Sequence, residues 1–111
     1  KFRFERSFRL ISKCPELGVK GLSFGWVNEA LKRIEDFDYP NWGETITKPV
    51  LLLSAGKDLL VDSDKNELIC SSITDRFISR INGKHELLME QDDIRKEAWK
   101  AIDAFLERIY E

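Results

Sequence analysis

Apolar and polar positions divide this chain at about residue 43. The clearest signal lies in Pro49-Val50-Leu51-Leu52-Leu53-Ser54-Ala55-Gly56-Lys57-Asp58, where an unbroken apolar run sits between a proline and a glycine. Such a run predicts a strand buried on both faces of a parallel sheet. Asp62-Ser63-Asp64 then resembles a helix start, with Asp64 and Glu67 at capping-box spacing, and the helix runs to about Ser71. Arg76-Phe77-Ile78-Ser79-Arg80-Ile81 alternates polar and apolar, as a strand with one wetter face does, and Asn82-Gly83 closes it. Asp92 or Asp93 opens a long helix with Ile94, Ala98, Ala101, Ile102, Phe105 and Ile109 on one stripe; both acids suit the positive end of the helix dipole. The order from residue 49 is therefore β, α, β, α, an α/β pattern.

The first third reads differently. Phe4, Phe8 and Ile11 recur at helical spacing among Lys1, Arg3, Arg6, Arg9 and Lys13, a basic amphipathic helix that Pro15 and Gly18 end. Its cations allow a surface that meets anionic lipid headgroups; the plainer reading is a helix with one packed and one solvated face. Trp26 to Phe37 predicts a second helix, with Trp26, Ala30, Leu31, Ile34 and Phe37 on one side and Ser23 or Asn28 at its start. Asp38-Tyr39-Pro40-Asn41-Trp42-Gly43 is a turn-rich boundary. Eight of the twelve aromatic residues lie at or before Trp42, which sets residues 1–43 apart as an aromatic-rich cap and 44–111 as sheet-and-helix core.

Composition narrows the function classes. With 111 residues the chain is one domain at most, or a piece of one. Its 18 basic and 20 acidic residues give a net charge of −2, so no overall field favours nucleic acid. No run approaches the roughly 20 apolar residues of a spanning helix, and Lys1 to Lys13 lacks the apolar core of a signal peptide. Two separated cysteines, Cys14 and Cys70, fit free thiols in a reducing compartment better than a single disulfide. The expected location is the cytoplasm, with peripheral contact at the inner face of the membrane as an open option. One histidine and two scattered cysteines match no zinc pattern, and no metal or cofactor is implied.

In open α/β sheets, ligands and catalytic groups gather beyond the carboxyl ends of the strands. Asp58 stands there, and the sole histidine, His85, follows 27 residues later in the loop after the next strand. An imidazole ordinarily titrates near about 6.5, which suits a general base at neutral pH. Asp58 is the preferred orienter of that base, because Asp62 and Asp64 have a simpler explanation as helix caps. The bland alternative for His85 is an exposed loop histidine. Gly21-Leu22-Ser23-Phe24-Gly25 spells G-x-S-x-G, but a nucleophile elbow needs a buried strand before the serine. Pro15 and Gly18 interrupt any strand there, so Ser23 is not expected to be a nucleophile.

The segments Pro49 to Asp62 and Gly83-Lys84-His85-Glu86-Leu87-Leu88-Met89-Glu90, followed by an amphipathic helix, resemble the C-terminal third of bacterial lysophospholipases of the monoacylglycerol-lipase type. These are serine α/β-hydrolases. Arg3-Phe4-Glu5-Arg6, Pro15-Glu16-Leu17-Gly18 and Trp26-Val27-Asn28-Glu29-Ala30 look like the cap that such enzymes insert between core strands. The resemblance implies the C-terminal part of an α/β-hydrolase fold, its last two parallel strands with their helices, preceded by a helical cap or lid. It implies hydrolysis of a lysophospholipid or monoacylglycerol ester by the parent, with Asp58 and His85 as triad acid and base. The nucleophile and the oxyanion loop would lie in an N-terminal part that these residues do not contain, so the isolated chain is expected to be inactive. Phe24, Trp26 and Trp42 would line an acyl-chain channel or equally form the cap's own core. A rival of another class is a non-enzymatic lipid- or peptide-binding module that uses the aromatic cap. Finally, an apolar strand edge left open at Val50–Ser54 calls for cover by the missing N-terminal part or by a second copy.

Overall fold

The computed structural model describes residues 2–19, 21–37 and 41–110. Four α-helices and a two-stranded parallel sheet are present among them, an α/β mixture in the order α1 (Phe2–Lys13), α2 (Phe24–Asp36), β1 (Val50–Ala55), α3 (Ser63–Cys70), β2 (Arg76–Ile81) and α4 (Asp92–Tyr110). Single 3-10 turns occur at Pro15–Leu17, Trp42–Thr45 and Leu87–Met89. Contacts divide the chain into a unit ending at Asp36 and a unit beginning at Phe37.

In the first unit, α1 forms where the Phe4, Phe8, Ile11 spacing predicts it, and Pro15 redirects the chain into a 3-10 turn. The second helix starts two residues earlier than Trp26. The Ser23 hydroxyl accepts the Trp26 amide proton at 3.1 Å, so Ser23 is the cap and Asn28 lies inside the helix. Residues Asp38 to Pro40 of the expected boundary lie outside the described residues. None of residues 5–19 and 21–36 is buried, and Phe8, Ile11, Trp26, Leu31 and Ile34 are all exposed. Within this unit the Phe8 and Ile11 side chains of α1 and the Phe24 and Trp26 rings of α2 are thus left open: two helices of 12 and 13 residues enclose too little space to hide an apolar stripe on each.

The second unit is built on the β1–β2 pair, in register from Val50 opposite Arg76 to Ala55 opposite Ile81. Leu53 and Ile94 pack on a core of Ala55, Ile81, Leu87 and Ala98, of which Ala98 on α4 is 0% exposed. The absence of a larger side chain at Ala98 lets α4 lie close against the sheet. Farther out on that helix, Phe105 meets Phe77 edge-on at 5.4 Å between ring centroids, and the Arg108 guanidinium sits 4.2 Å above the Phe77 ring.

Three details differ from the sequence reading. Asp62, not Asp64, caps α3: its carboxylate accepts the Lys65 amide proton at 3.0 Å. Asp64 falls in the first turn and pairs with Arg80 at 2.5 Å, while Glu67 accepts a 2.5 Å bond from the buried Ser54 hydroxyl. A capping box cannot close when its glutamate is drawn to the sheet. Second, β1 is not buried along its length. Ser54 and Ala55 are buried, but Val50 to Leu53 are half-buried, and Val50, Leu51 and Leu52 line an apolar hollow of about 230 Å³ with Phe37, Trp42, Ile69 and Ile73 in its walls. Third, Ile109 is exposed at the end of the α4 stripe. Gly43, in the turn carrying Trp42, has no room for a side chain, since a β-carbon there would lie 2.1 Å from the Ser72 hydroxyl.

Candidate active site

Both strands end at the same edge of the sheet because they run parallel and in register. Their following loops are therefore neighbours. The Lys57 amide donates to the Gly83 carbonyl at 2.9 Å, and the Gly56 amide to the Ile81 carbonyl at 2.7 Å. These two backbone bonds join the loop carrying Asp58 to the loop carrying His85.

Asp58 and His85 meet there. His85 Nδ1 lies 2.8 Å from Asp58 Oδ2, the distance of a charge-assisted hydrogen bond. The other carboxylate oxygen, Oδ1, accepts the amide protons of Leu60 at 2.9 Å and Val61 at 3.3 Å. An aspartate bonded to its own backbone two residues on forms an Asx turn, and here that turn aims the second oxygen at the ring. The Asp58 side chain is 4% exposed and that of His85 is 43% exposed. Burial pushes the Asp58 carboxyl pKa up, but the Leu60 amide, the His85 ring and the Val61 amide together hold it below the ordinary carboxylate value. Asp58 is thus an anion whose position is fixed from the protein side. His85 is the more open partner, with its Nε2 not engaged by Asp58.

With Asp58 on Nδ1, a neutral ring carries its proton on Nδ1 and keeps a lone pair on Nε2. That is the tautomer a general base needs. Asp62 and Asp64, the competing acids, are occupied at the head of α3 as described. Ser63 also ties this segment down, its hydroxyl donating to the Ala55 carbonyl at 2.7 Å. A polar recess of about 210 Å³ beside Asp58 is bounded by Gly56, Val61, Ser63 and Arg80.

Ser23 stands in a different setting. The described residues before it form a 3-10 turn and extended chain rather than a strand, and its hydroxyl caps α2. Gly21 takes φ +87°, a left-handed backbone that favours glycine, with open space around it. The motif is met in letters and not in the strand–turn–helix geometry that exposes a nucleophile. Of the aromatic residues, Phe24 and Trp26 are 96% and 58% exposed on α2. Trp42 packs edge-on against Phe37, centroids 4.9 Å apart, in the hollow beside β1.

Sequence reasoning missed Glu90, whose carboxylate accepts the Lys84 amide proton at 2.9 Å across the histidine loop. A carboxylate five positions after a histidine is visible in the sequence, but nothing in that spacing shows a fold back onto position 84. Both cysteines are free thiols, and burial pushes the Cys70 thiol pKa up. Among the described residues no helix is long and apolar enough to cross a membrane.

No family model and no solved structure matches the chain. It is 31% identical over 107 residues to a protein of Haemophilus influenzae named probable lysophospholipase L2, a match covering 96% of this chain and 34% of that protein. It is 29% identical over 114 residues to lysophospholipase L2 of Escherichia coli K12, covering 96% of this chain and 33% of that one. The chain thus spans about a third of the length of the curated relatives it matches. The resemblance to bacterial lysophospholipases read from the sequence is borne out by relatives that carry that name.

Proposed function

We propose that this chain supplies the acid and the base of a Ser-Asp-His triad in a lysophospholipase-like hydrolase of lipid carboxylic esters. The observation that carries the reading is the 2.8 Å contact between His85 Nδ1 and Asp58 Oδ2 at the strand ends. The names of the relatives supply the substrate class. In this reading the β1–α3–β2–α4 unit is the C-terminal part of an α/β-hydrolase core, residues 1–43 belong to a cap, and the nucleophilic serine comes from sequence outside these 111 residues.

The Asp58–His85 contact supports a base-and-orienter chemistry. His85 Nε2 takes the proton of the serine hydroxyl as its oxygen bonds to the ester carbonyl carbon. The ring then returns that proton to the departing alcohol oxygen when the ester C–O bond breaks. A water activated by the same nitrogen releases the fatty acid and regenerates the serine. Asp58 stays ionised throughout, stabilising the imidazolium and holding the ring's orientation. The exposed Phe24 and Trp26 offer apolar surface to an acyl chain.

The test is hydrolysis of a lysophospholipid by the longer protein. Asp58→Asn should lower kcat by about 10⁴-fold and His85→Ala by about 10⁶-fold. A fluorophosphonate probe should label a serine outside this chain and leave Ser23 unmodified. Full activity in both variants, or stoichiometric labelling of Ser23, would refute the assignment.

A further inference from the structure

An exposed catalytic ring needs something other than packing to hold it. The His85 side chain is 43% exposed, so its direction depends on Asp58 and on the backbone that carries it. That backbone is fixed on the upstream side by the Lys57 amide bonding the Gly83 carbonyl at 2.9 Å. Downstream, Leu87 is 6% exposed within the core, and a 3-10 turn closes with the Met89 amide on the Glu86 carbonyl at 2.9 Å. Between these anchors lie residues 84 to 86. Glu90 reaches across to them, its carboxylate accepting the Lys84 amide proton at 2.9 Å. Its stem also lies against Gly83, where a β-carbon would come 3.4 Å from Glu90 Cγ.

We infer that Glu90 is a positioning residue for His85: its carboxylate closes the loop on the amide immediately before the histidine and so sets the ring toward Asp58. This role rests on the proposed function, since it matters only if the ring's orientation does. Glu90 touches no reacting atom. Without the acceptor, the Lys84 amide would turn to solvent and the loop would lose a side-chain tie next to His85. The chain would then sample backbone angles that carry Nδ1 away from Asp58 Oδ2.

His85 is the only histidine of the chain, so nitrogen-correlated NMR of its ring reads the tautomer without overlap. The 111-residue chain is measured at a pH high enough for a neutral ring. The parent sequence should show the Nδ1–H form. Asp58→Asn is the reference: its carbonyl oxygen stays with the Leu60 and Val61 amides, which turns its NH₂ toward Nδ1 and selects the Nε2–H form. Glu90→Ala should move the ring signals toward that reference. Glu90→Gln retains a carbonyl acceptor and should restore the parent spectrum, a rescue that a merely charge-based role would not produce; Glu90→Met keeps the stem without the acceptor and should stay shifted, a result that a merely packing role would not produce. If Glu90→Ala fails to fold, judged by amide dispersion, Glu90→Asp reads the same question, because one methylene less breaks the 2.9 Å reach; it too should shift toward the Nε2–H form.

The outcomes separate the two claims. Should Asp58→Asn leave the tautomer unchanged, the Asp58–His85 pairing fails, whatever Glu90 does. A shift in Asp58→Asn with none in Glu90→Ala, or in Glu90→Asp if that is the folded variant, overturns the role of Glu90 alone. So does a folded Glu90→Gln chain that matches the Asp58→Asn spectrum.

Discussion

Gly83→Ala puts the packing behind the histidine loop to a direct test. A β-carbon at this buried position would stand 2.7 Å from Leu87 Cδ2 and 2.8 Å from Ile94 Cγ2. Ordinary contacts between such carbons are about 3.5–4.0 Å, so each neighbour must withdraw by roughly 0.7 Å or more. Leu87 can swing a terminal methyl. Ile94 cannot do so easily, because its clashing carbon hangs directly on a branched β-carbon with one strongly preferred rotamer in a helix. Overpacking of this kind costs about 1–3 kcal/mol, against which alanine gains about 0.4–1 kcal/mol by restricting the unfolded chain. A net loss of between about 0 and 2.6 kcal/mol remains. For a domain of this size each kcal/mol lowers Tm by about 4–8 °C, which urea and thermal melts resolve. Ile94→Ala removes one clashing carbon, so the cost of Gly83→Ala should fall in that background, a coupling readable in a double-mutant cycle. A Gly83→Ala chain as stable as the parent, with additive effects in the cycle, would refute the close-packing argument.

Three other outcomes are expected. Asp62→Ala should cost about 0.5–2 kcal/mol by urea melt, the usual price of a lost helix cap, and Asp64→Ala should cost less; the reverse order would restore the capping box. The lowered Asp58 pKa makes the unfolded chain the stronger proton binder, so its contribution to stability is complete above the ordinary carboxylate pKa and is lost as pH falls through the lowered value; Asp58→Asn should flatten that part of the stability–pH curve. With the half-buried Val50–Leu53 stretch on an open strand edge, light scattering of the 111-residue chain by itself should report the mass of a dimer or larger assembly, and a monomer that stays soluble with that edge bare would count against the cover.

What the sequence revealed depended on how local the deciding physics is. The strands at 50–55 and 76–81 were legible because their apolar runs and alternation are written in consecutive residues. The Asp58–His85 meeting was legible because strand ends of a parallel pair bring their loops together whatever the side chains. The choice between Asp62 and Asp64 was not. Both are aspartates two positions apart, and the decision was made by Glu67 finding Ser54 on a strand 13 residues earlier. The half-buried state of Val50 to Leu53 was equally hidden, since burial belongs to the neighbours a strand has and not to its composition. Glu90 escaped because a loop folding back on itself has no period to read.

The bond from the Lys57 amide to the Gly83 carbonyl uses only main-chain atoms. Any residue with an N–H at position 57 can make it, so this tie between the two loops leaves no mark in the identity of position 57. Only proline, which has no proton to give, would sever it. A comparison of side chains would pass over the place where the Asp58 and His85 loops are physically fastened, and a Lys57→Pro change there would disturb the pair more than its surface position suggests.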